Sequence, residues 1–233
     1  SGNPTPMSKR SASDAINASP EAVDQMRHSL AHVLAQAVLQ LYPQVKLAIG
    51  PVIDNGFYYD FDLGSEKFTE TDLPKLEKRM HKIIEQNQKF ERYERDIDES
   101  IAYLERKGQP YKLELARELK AAGETKVSFY RNIDPQGKTR FFNDLCKGPH
   151  VASTKVLGAF KLTKIAGAYW RGDETRPMLQ RLYGLAFATQ SELDEHLERL
   201  KQAELRDHRK LGRELDLFVF SELVGPGLPL YTP

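Results

Sequence analysis

Residues 27–42 constrain the fold most, because they read as a helix that lacks a solvated face. Apolar residues recur there every three or four positions, so they fall on one stripe at about 100° per residue. The opposite side carries His28 and His32, and no Lys, Arg, Asp or Glu occurs in residues 28–45. We therefore expect a helix that is covered on both sides and presents two imidazoles to an enclosed space.

The composition indicates a folded chain in a reducing compartment. Hydrophobic residues make up 40% of the 233 residues, which is enough for a core. Cys146 is the only cysteine, which excludes an internal disulfide, and no apolar run reaches membrane length. The 34 basic and 33 acidic residues nearly balance, so no global field favours nucleic acid, although a local basic groove remains open. We expect a cytoplasmic protein without a membrane partner.

The pattern along the chain predicts four regions. Residues 1–20 are rich in Ser, Pro and Asn and are expected to be a disordered leader. Residues 21–190 mix helical and strand patterns, which predicts an α+β domain with a central helix packed against antiparallel sheet. Residues 191–212 place charges around a thin Leu stripe and read as an exposed linker helix. Residues 213–233 combine an apolar run with a Pro- and Gly-rich end, as if another domain began there.

Turn residues and periodicity predict the elements inside the first domain. The pair Asn55-Gly56 predicts the turn of a hairpin. Gly108 and Gly123 are expected to end two helices. The predicted helices are 72–90, 98–107 and 111–122, and the predicted strands are 52–53, 57–61, 126–132, 138–145, 160–165 and 181–188.

Two pairs of metal-type donors stand at four-residue spacing: His28/His32 on the helix and Cys146/His150 on a strand-to-loop turn. Together they have the residue types of a tetrahedral zinc site. The same groups suit hydrolysis, with an imidazole as general base or as hydrogen-bond donor to a carbonyl. Either pair alone can arise by chance, but the combination favours one shared site. Asp144 can orient an imidazole or a substrate amine there.

Several basic residues are weaker candidates. Lys112 follows Pro110 and Tyr111 and can reach a pocket, although a single Lys usually lies on the surface. Basic residues interleaved with aromatic ones suit a nucleic-acid backbone with a stacked base, and suit an ordinary rim loop nearly as well. The residues of this second kind are Lys164, Arg171, Arg176 and Arg181, around Tyr169 and Trp170.

Five segments of the chain are similar to the editing region of bacterial threonyl-tRNA synthetases. In order they are RHSLAHVLAQA, AIGPVIDNGFYYDFD, DLCKGPHV, KLTKIAGAYWRGD and MLQRLYGLAF, and the resemblance covers residues 27–212. The segments RDHRKLGRELDLF and GPGLPLYTP look like this family's linker helix and the start of its class II catalytic domain. The resemblance implies that the ATP, magnesium and zinc sites of the catalytic domain lie outside the chain, and that the usual small first domain is lacking. The editing domain of alanyl-tRNA synthetase is a more distant relative that shares both donor pairs.

The resemblance implies a fold, a reaction and residue roles. The fold is the editing-domain fold of threonyl- and alanyl-tRNA synthetases, and the reaction is hydrolysis of mischarged Ser-tRNA(Thr), without aminoacylation. A second site is needed because one methyl group supplies only about 1–3 kcal/mol of discrimination. His28 and Lys112 would activate water and stabilise the oxyanion. His32, Asp144 and Cys146 would hold the seryl group and the terminal ribose, and His150 would complete the pocket wall.

Cofactor and partners also follow from the resemblance. The threonyl editing site works without a metal, whereas the alanyl relatives use zinc at the two pairs. An ammonium from Lys112 inside the pocket would repel Zn²⁺, so we expect no metal at His28, His32, Cys146 and His150. The expected partner is the 3′ acceptor end of tRNA(Thr) carrying serine, and the full-length enzyme is expected to be a homodimer through its catalytic domain. Two alternatives stay open: a tRNA-docking module without hydrolytic activity, and a zinc-dependent deacylase of the alanyl type.

Overall fold

The computed structural model describes residues 19–214, 218–220 and 229–231, with side chains for residues 19–211. The chain divides into two compact units, one ending at Gln190 and one beginning at Ser191. The helices of the first unit are α1 (Pro20–Leu41), α2 (Asp72–Glu85), α3 (Ile97–Arg106) and α4 (Pro110–Ala121). Its strands are β1 (Lys46–Leu47), β2 (Val52–Ile53), β3 (Gly56–Asp62), β4 (Lys89–Asp96), β5 (Lys126–Ile133), β6 (Arg140–Leu145), β7 (Ala159–Tyr169) and β8 (Met178–Phe187). The last elements are α5 (Gln190–Glu214), β9 (Phe218–Phe220) and β10 (Pro229–Tyr231).

The first helix, α1, begins at Pro20, directly after the capping residue Ser19, whose hydroxyl accepts the N–H of Ala22. Every residue from Ser29 to Val38 is buried, so both sides of the helix are covered, as the sequence predicted. No charged side chain has to be desolvated in this stretch, which is why the helix can occupy the interior.

The strands form two antiparallel sheets in the first unit, which confirms the predicted α+β class. The first sheet has the order β1-β3-β8-β7, with β2 paired to β3, and the second has the order β4-β5-β6. Helices α3 and α4 cover one face of the second sheet through a cluster that includes Leu104, Ala116 and Phe129. In the second unit β9 and β10 pair with each other.

The main core joins α1 and α2 to the first sheet and reaches Phe142 of β6 in the second sheet. His32 of α1 contacts the rings of Phe90 in β4 and Phe142 in β6, at centroid distances of 5.5 and 4.7 Å. The central helix therefore contacts both sheets, and its histidine-bearing side faces the second one.

The predicted hairpin exists, but its turn lies one residue earlier than predicted. Val52 pairs with Phe57 and Ile53 with Gly56, so the turn residues are Asp54 and Asn55. Asn55 has a positive φ of 63°, a conformation that Asn tolerates. Gly56 is needed inside the strand, because a Cβ atom there would collide with the carbonyl oxygen of Gly184 on β8.

The helix predicted over 72–90 is too long, and the strand β4 was not predicted. The helix ends at Glu85, Asn87 takes a positive φ of 51°, and Lys89 begins β4. The strand reads KFERYERD, and its charges hide the alternation that identifies a half-buried strand. Cross-strand pairing offsets these charges, as in the ion pair of 2.7 Å between Glu91 and Arg131 of β5.

The remaining helices and strands lie within a few residues of their predictions. Helix 191–212 is confirmed as α5, and β7 continues four residues beyond its predicted end, to Tyr169. Residues 1–18 of the predicted leader lie outside the described residues, whereas Ser19 and Pro20 belong to the start of α1. Of the predicted start of a catalytic domain, only β9 and β10 and the end of α5 are described. In the described part of the chain, every helix is too short or too polar to cross a membrane.

Leu34→Ala tests the central position of α1. Leu34 is 0% exposed, and we expect its truncation to lower the free energy of unfolding by about 2–5 kcal/mol, measured by urea denaturation. Leu41→Ala in the same helix is the control, because Leu41 is 37% exposed and should cost less than about 1 kcal/mol. Equal losses from both variants would contradict a fully enclosed helix.

Candidate functional site

The two donor pairs meet between α1 and the loop that follows β6. The Nε2 atom of His28 lies 3.5 Å from Sγ of Cys146, and Nε2 of His150 lies 3.2 Å from the same sulfur. The rings of His28 and His150 stack with a centroid distance of 4.3 Å. The two pairs therefore lie close together in the structure, since the His32 ring is also within 4.7 Å of the His150 ring.

Side chains of α1 hold this loop in place. Gln25 donates a hydrogen bond to the carbonyl oxygen of His150, and the Ser29 hydroxyl accepts one from the N–H of Val151 at 2.9 Å. Nδ1 of His28 lies 3.1 Å from the carbonyl oxygen of Pro149. Because a carbonyl oxygen only accepts, Nδ1 of His28 carries the proton and Nε2 is left bare toward Cys146.

Gly148 allows the loop to approach the sheet. Its φ of 77° lies in the left-handed region, and a Cβ atom would collide with the ring of Tyr130 on β5. The Tyr130 ring also meets His150 edge-on, with centroids 4.5 Å apart. The Gly148 N–H donates to the sulfur of Cys146 at 3.4 Å, so the backbone itself orients the thiol.

Lys112 of α4 and Asp144 of β6 form a buried ion pair beside the histidines. Their Nζ and Oδ2 atoms are 3.1 Å apart, and each residue is 6% exposed. Nζ also donates to the carbonyl oxygen of Leu145 at 3.2 Å, and the Tyr59 hydroxyl donates to Oδ2 of Asp144 at 3.1 Å. Removing either partner would leave an uncompensated charge in the interior, which is strongly unfavourable. The pair brings fixed charges into a site that is otherwise neutral.

Burial keeps the titratable groups of the cluster neutral near pH 7. Desolvation lowers the pKa of His28 and of His150 below the ordinary histidine value, and lowers the pKa of His32 to about 4. It also raises the pKa of Cys146 to about 11, with the charge of Asp144 acting in the same direction. The site therefore contains three neutral imidazoles and one protonated thiol.

His32 lies behind His150 rather than beside Cys146. It is 3% exposed, and its ring contacts those of His150, Phe90 and Phe142. His32 is therefore close to the predicted site, but it supports the back of the cluster.

Three cavities open around the site from different sides. One of about 470 Å³ runs along β6 and is lined by Lys112 and Asp144. A second, of about 580 Å³, is lined by Cys146, and a third, of about 420 Å³, by His28 and Pro149. Lys112, Asp144, Cys146 and His28 therefore each line a cavity.

Three of the four considered ligands form a group that could hold a metal ion. The donor atoms of His28, Cys146 and His150 all lie within 4.8 Å of one another. His32 is not part of this group in the described part of the chain. Three protein ligands and an open position are typical of catalytic zinc.

The basic residues predicted to contact tRNA have other partners. Arg171 pairs with Glu118 at 2.7 Å, and Arg176 pairs with Glu114. Arg181 binds the buried carboxylate of Asp60 through two hydrogen bonds of 2.8 and 3.0 Å. Lys164 is exposed, with Nζ 4.5 Å from the ring centroid of Tyr183. None of these recorded partners belongs to the histidine–cysteine cluster.

Several residues around the cluster escaped the sequence reasoning. Ser29 follows His28 directly. A small polar residue in a buried helix indicates a hydrogen bond, so the sequence contained a signal for Ser29. The others could not be found by spacing, because distant strands and the preceding turn of α1 supply them. These residues are Gln25, Tyr59, Phe90 and Tyr130.

Residues 127–183 match the family described as "Threonyl and Alanyl tRNA synthetase second additional domain". This range covers all but the first residue of β5, then β6, the loop with Cys146 and His150, β7 and the first part of β8. The fold and the site thus define a domain of this class.

Similarity to whole proteins narrows the assignment. The chain is 51% identical over 211 residues to the threonine–tRNA ligase of Acetivibrio thermocellus, which covers 90% of the chain and 31% of that protein. It is 51% identical over 215 residues to the enzyme of Citrifermentans bemidjiense, covering 92% and 32%, and 49% identical over 214 residues to that of Mycobacterium avium, covering 89% and 31%. The chain belongs to the bacterial threonyl-tRNA synthetase family, as the resemblance implied, and spans about a third of the length of these relatives.

His32→Gln tests the burial of the cluster through the pH dependence of stability. With a folded pKa of about 4 and an ordinary value of 6.5, His32 is neutral in both states above pH 6.5. Below that pH the unfolded chain binds a proton that the folded chain does not, so stability falls. We expect His32 alone to lower the free energy of unfolding by about 2 kcal/mol between pH 7 and pH 5.

The measurement is urea unfolding of both proteins at pH 7 and pH 5. The His32→Gln protein should lose about 2 kcal/mol less than the unmodified protein over this range. His81→Gln is the control, because His81 is exposed on α2. Identical losses in the His32→Gln protein and the unmodified protein would contradict a neutral, buried His32.

Proposed function

We propose that this site hydrolyses the ester bond of Ser-tRNA(Thr) and so acts as the editing site of a threonyl-tRNA synthetase. The observation that carries the proposal is the bare Nε2 atom of His28, held next to a neutral thiol and near a buried ammonium group. A base, a hydrogen-bonding wall and a fixed positive charge are the groups that ester hydrolysis by water requires.

His28 acts as the general base. Its lowered pKa leaves the imidazole neutral at pH 7, so that it can accept a proton from water. The water oxygen bonds to the ester carbonyl carbon, and the carbonyl oxygen takes the negative charge. When the tetrahedral intermediate collapses, the carbon–oxygen bond to the ribose breaks, and the ribose oxygen recovers the proton from His28. Serine and free tRNA are the products.

Lys112 stabilises the developing oxyanion, and Asp144 fixes the position of Lys112. The 3.1 Å ion pair with the buried Asp144 and the hydrogen bond to the Leu145 carbonyl hold Nζ in place. A positive charge that is already in place costs no reorganisation when the oxyanion forms. Asp144 also has the charge to receive the substrate ammonium group.

Cys146 is a hydrogen-bonding wall and not a nucleophile in this proposal. With a pKa of about 11 the sulfur is protonated at pH 7, and the thiol is a far weaker nucleophile than the thiolate. His150 completes the wall, and His32 supports it from behind. A compact wall of this kind suits the side chain of serine and leaves little room for the extra methyl group of threonine.

We also propose tRNA(Thr) as the partner, with its acceptor end entering the cavities around the cluster. Arg171, Arg176 and Arg181 are already neutralised by carboxylates, so the exposed Lys164 is the strongest of the four proposed backbone contacts. In the full-length enzyme, aminoacylation and a homodimer interface would belong to the catalytic domain.

A zinc-dependent deacylase is a second candidate, because His28, Cys146 and His150 converge within 4.8 Å. These donors suit zinc, which would polarise the ester and lower the pKa of a bound water. The charge of Lys112 argues against a metal ion. The ammonium is close enough to lower the pKa of the Cys146 thiol, and a positive charge at that distance repels a dication. We therefore propose metal-free hydrolysis.

Deacylation assays test the proposed reaction. We expect this protein to hydrolyse Ser-tRNA(Thr) much faster than Thr-tRNA(Thr), because the added methyl group clashes with the wall around Cys146. His28→Ala should lower the rate by on the order of 10²–10⁴, the usual contribution of a general base. Lys112→Ala should also lower the rate through loss of the oxyanion contact.

His81→Ala is the matched control, since His81 lies on the exposed side of α2. Equal rates on the seryl and threonyl substrates would contradict the size-exclusion argument. Binding of tRNA without any hydrolysis would instead support the docking-module alternative.

Elemental analysis tests the metal-free proposal. Protein purified without chelators should contain no stoichiometric zinc, and EDTA should leave deacylation unchanged, because the ammonium of Lys112 disfavours a dication. One zinc per chain together with EDTA-sensitive hydrolysis would contradict the proposal and show that the site is a zinc site, as its donor types predict.

A further inference from the structure

The hydroxyl of Ser29 has three polar neighbours and only one proton. Its oxygen lies 2.9 Å from the Gln25 carbonyl oxygen, 2.9 Å from the Val151 nitrogen and 3.0 Å from Nδ1 of His150. Ser29 is 0% exposed, so water does not compete for these contacts. The direction of this one proton determines which nitrogen of His150 is protonated.

If the hydroxyl donates to His150, the cluster takes one arrangement. Nδ1 of His150 is then bare, Nε2 carries the proton and donates to the sulfur of Cys146, and the thiol proton must turn toward His28. The Nε2 atom of His28 is occupied in this arrangement and cannot accept a proton from water.

If the hydroxyl donates to the Gln25 carbonyl, the arrangement reverses. Nδ1 of His150 then carries the proton and donates to the Ser29 oxygen, which has two lone pairs and also accepts the Val151 N–H. Nε2 of His150 is bare and accepts a hydrogen bond from the thiol of Cys146, so that Nε2 of His28 is left free.

The distances favour the second arrangement. It uses the 2.9 Å contact to Gln25, the 3.0 Å contact between His150 and Ser29 and the shorter sulfur contact of 3.2 Å. Only the longest contact, 3.5 Å between Cys146 and His28, is left without a proton. The first arrangement leaves the Gln25 contact idle and replaces an N–H···O bond by a weaker N–H···S bond.

We propose that Ser29 is a positioning residue that fixes the tautomer of His150 and thereby keeps the base His28 available. Ser29 thereby directs the S–H of Cys146 toward Nε2 of His150, although Ser29 itself is 0% exposed. The catalytic consequence rests on the proposed hydrolysis, whereas the tautomer itself does not.

The test combines imidazole ¹⁵N NMR at pH 7.5 with deacylation kinetics on the unmodified protein and on Ser29→Ala. In the unmodified protein we expect both His28 and His150 to be protonated at Nδ1 and bare at Nε2. In Ser29→Ala we expect His150 to shift to the Nε2-protonated form, and kcat for Ser-tRNA(Thr) to fall by on the order of 10-fold at unchanged KM.

Ser100→Ala is the matched control. Ser100 is also 0% exposed, and its hydroxyl donates to the carbonyl four residues earlier, Asp96, at 2.6 Å, in α3 and away from the cluster. It should lower stability without changing either the histidine spectra or kcat. A purely structural role for Ser29 would make the two variants alike.

The unmodified protein alone is enough to overturn the proposal, so the outcome does not depend on the folding of Ser29→Ala. An Nε2-protonated His150 in that protein would show that Ser29 donates to the ring and would refute the assignment. The expected tautomers without any hydrolysis would keep the positioning of Ser29 and refute the proposed function instead.

Discussion

The burial of α1 on both sides is the constraint on which the rest of the structure depends. A helix with no charge between residues 28 and 45 cannot lie on a surface without exposing a large apolar area. It needs one layer on each side, which the first sheet and the second sheet supply. The histidines on its second side are therefore enclosed by the same packing that stabilises the helix.

Enclosure explains the chemistry of the cluster as well as its position. Removal from water keeps the imidazoles neutral and the thiol protonated, so each group offers a defined donor or acceptor. Hydrogen bonds from α1 and from the loop then determine which nitrogen is bare. Small polar residues such as Ser29 gain influence here, because each proton in a dry cluster has few alternative partners.

The sequence was enough to predict features that depend on neighbouring residues, but not features that depend on contacts between distant segments. The spacing identified the pairs His28/His32 and Cys146/His150, because the two members of each pair lie four residues apart on one element. The lack of charge on α1 predicted that the helix would be enclosed. Strand β4 was missed because its stability comes from cross-strand pairs such as Glu91–Arg131, which no local pattern reveals. The ion partners of Arg181 and Arg176 come from other strands and helices, so basic residues that looked available for tRNA are already neutralised.

The cluster has the donor atoms for a metal ion and also the free nitrogen of a general base, and the neighbouring charges favour one of these two chemistries. Two imidazoles and a cysteine define where a dication could sit, but their geometry alone does not determine whether it binds. Without a metal, burial and the charge of Asp144 keep the sulfur of Cys146 as a thiol. Lys112 adds a positive charge that Asp144 and the Leu145 carbonyl keep in place. A site that already contains a fixed cation can stabilise an oxyanion without a metal, and this is the physical reason for the proposal that ester hydrolysis here uses side chains alone.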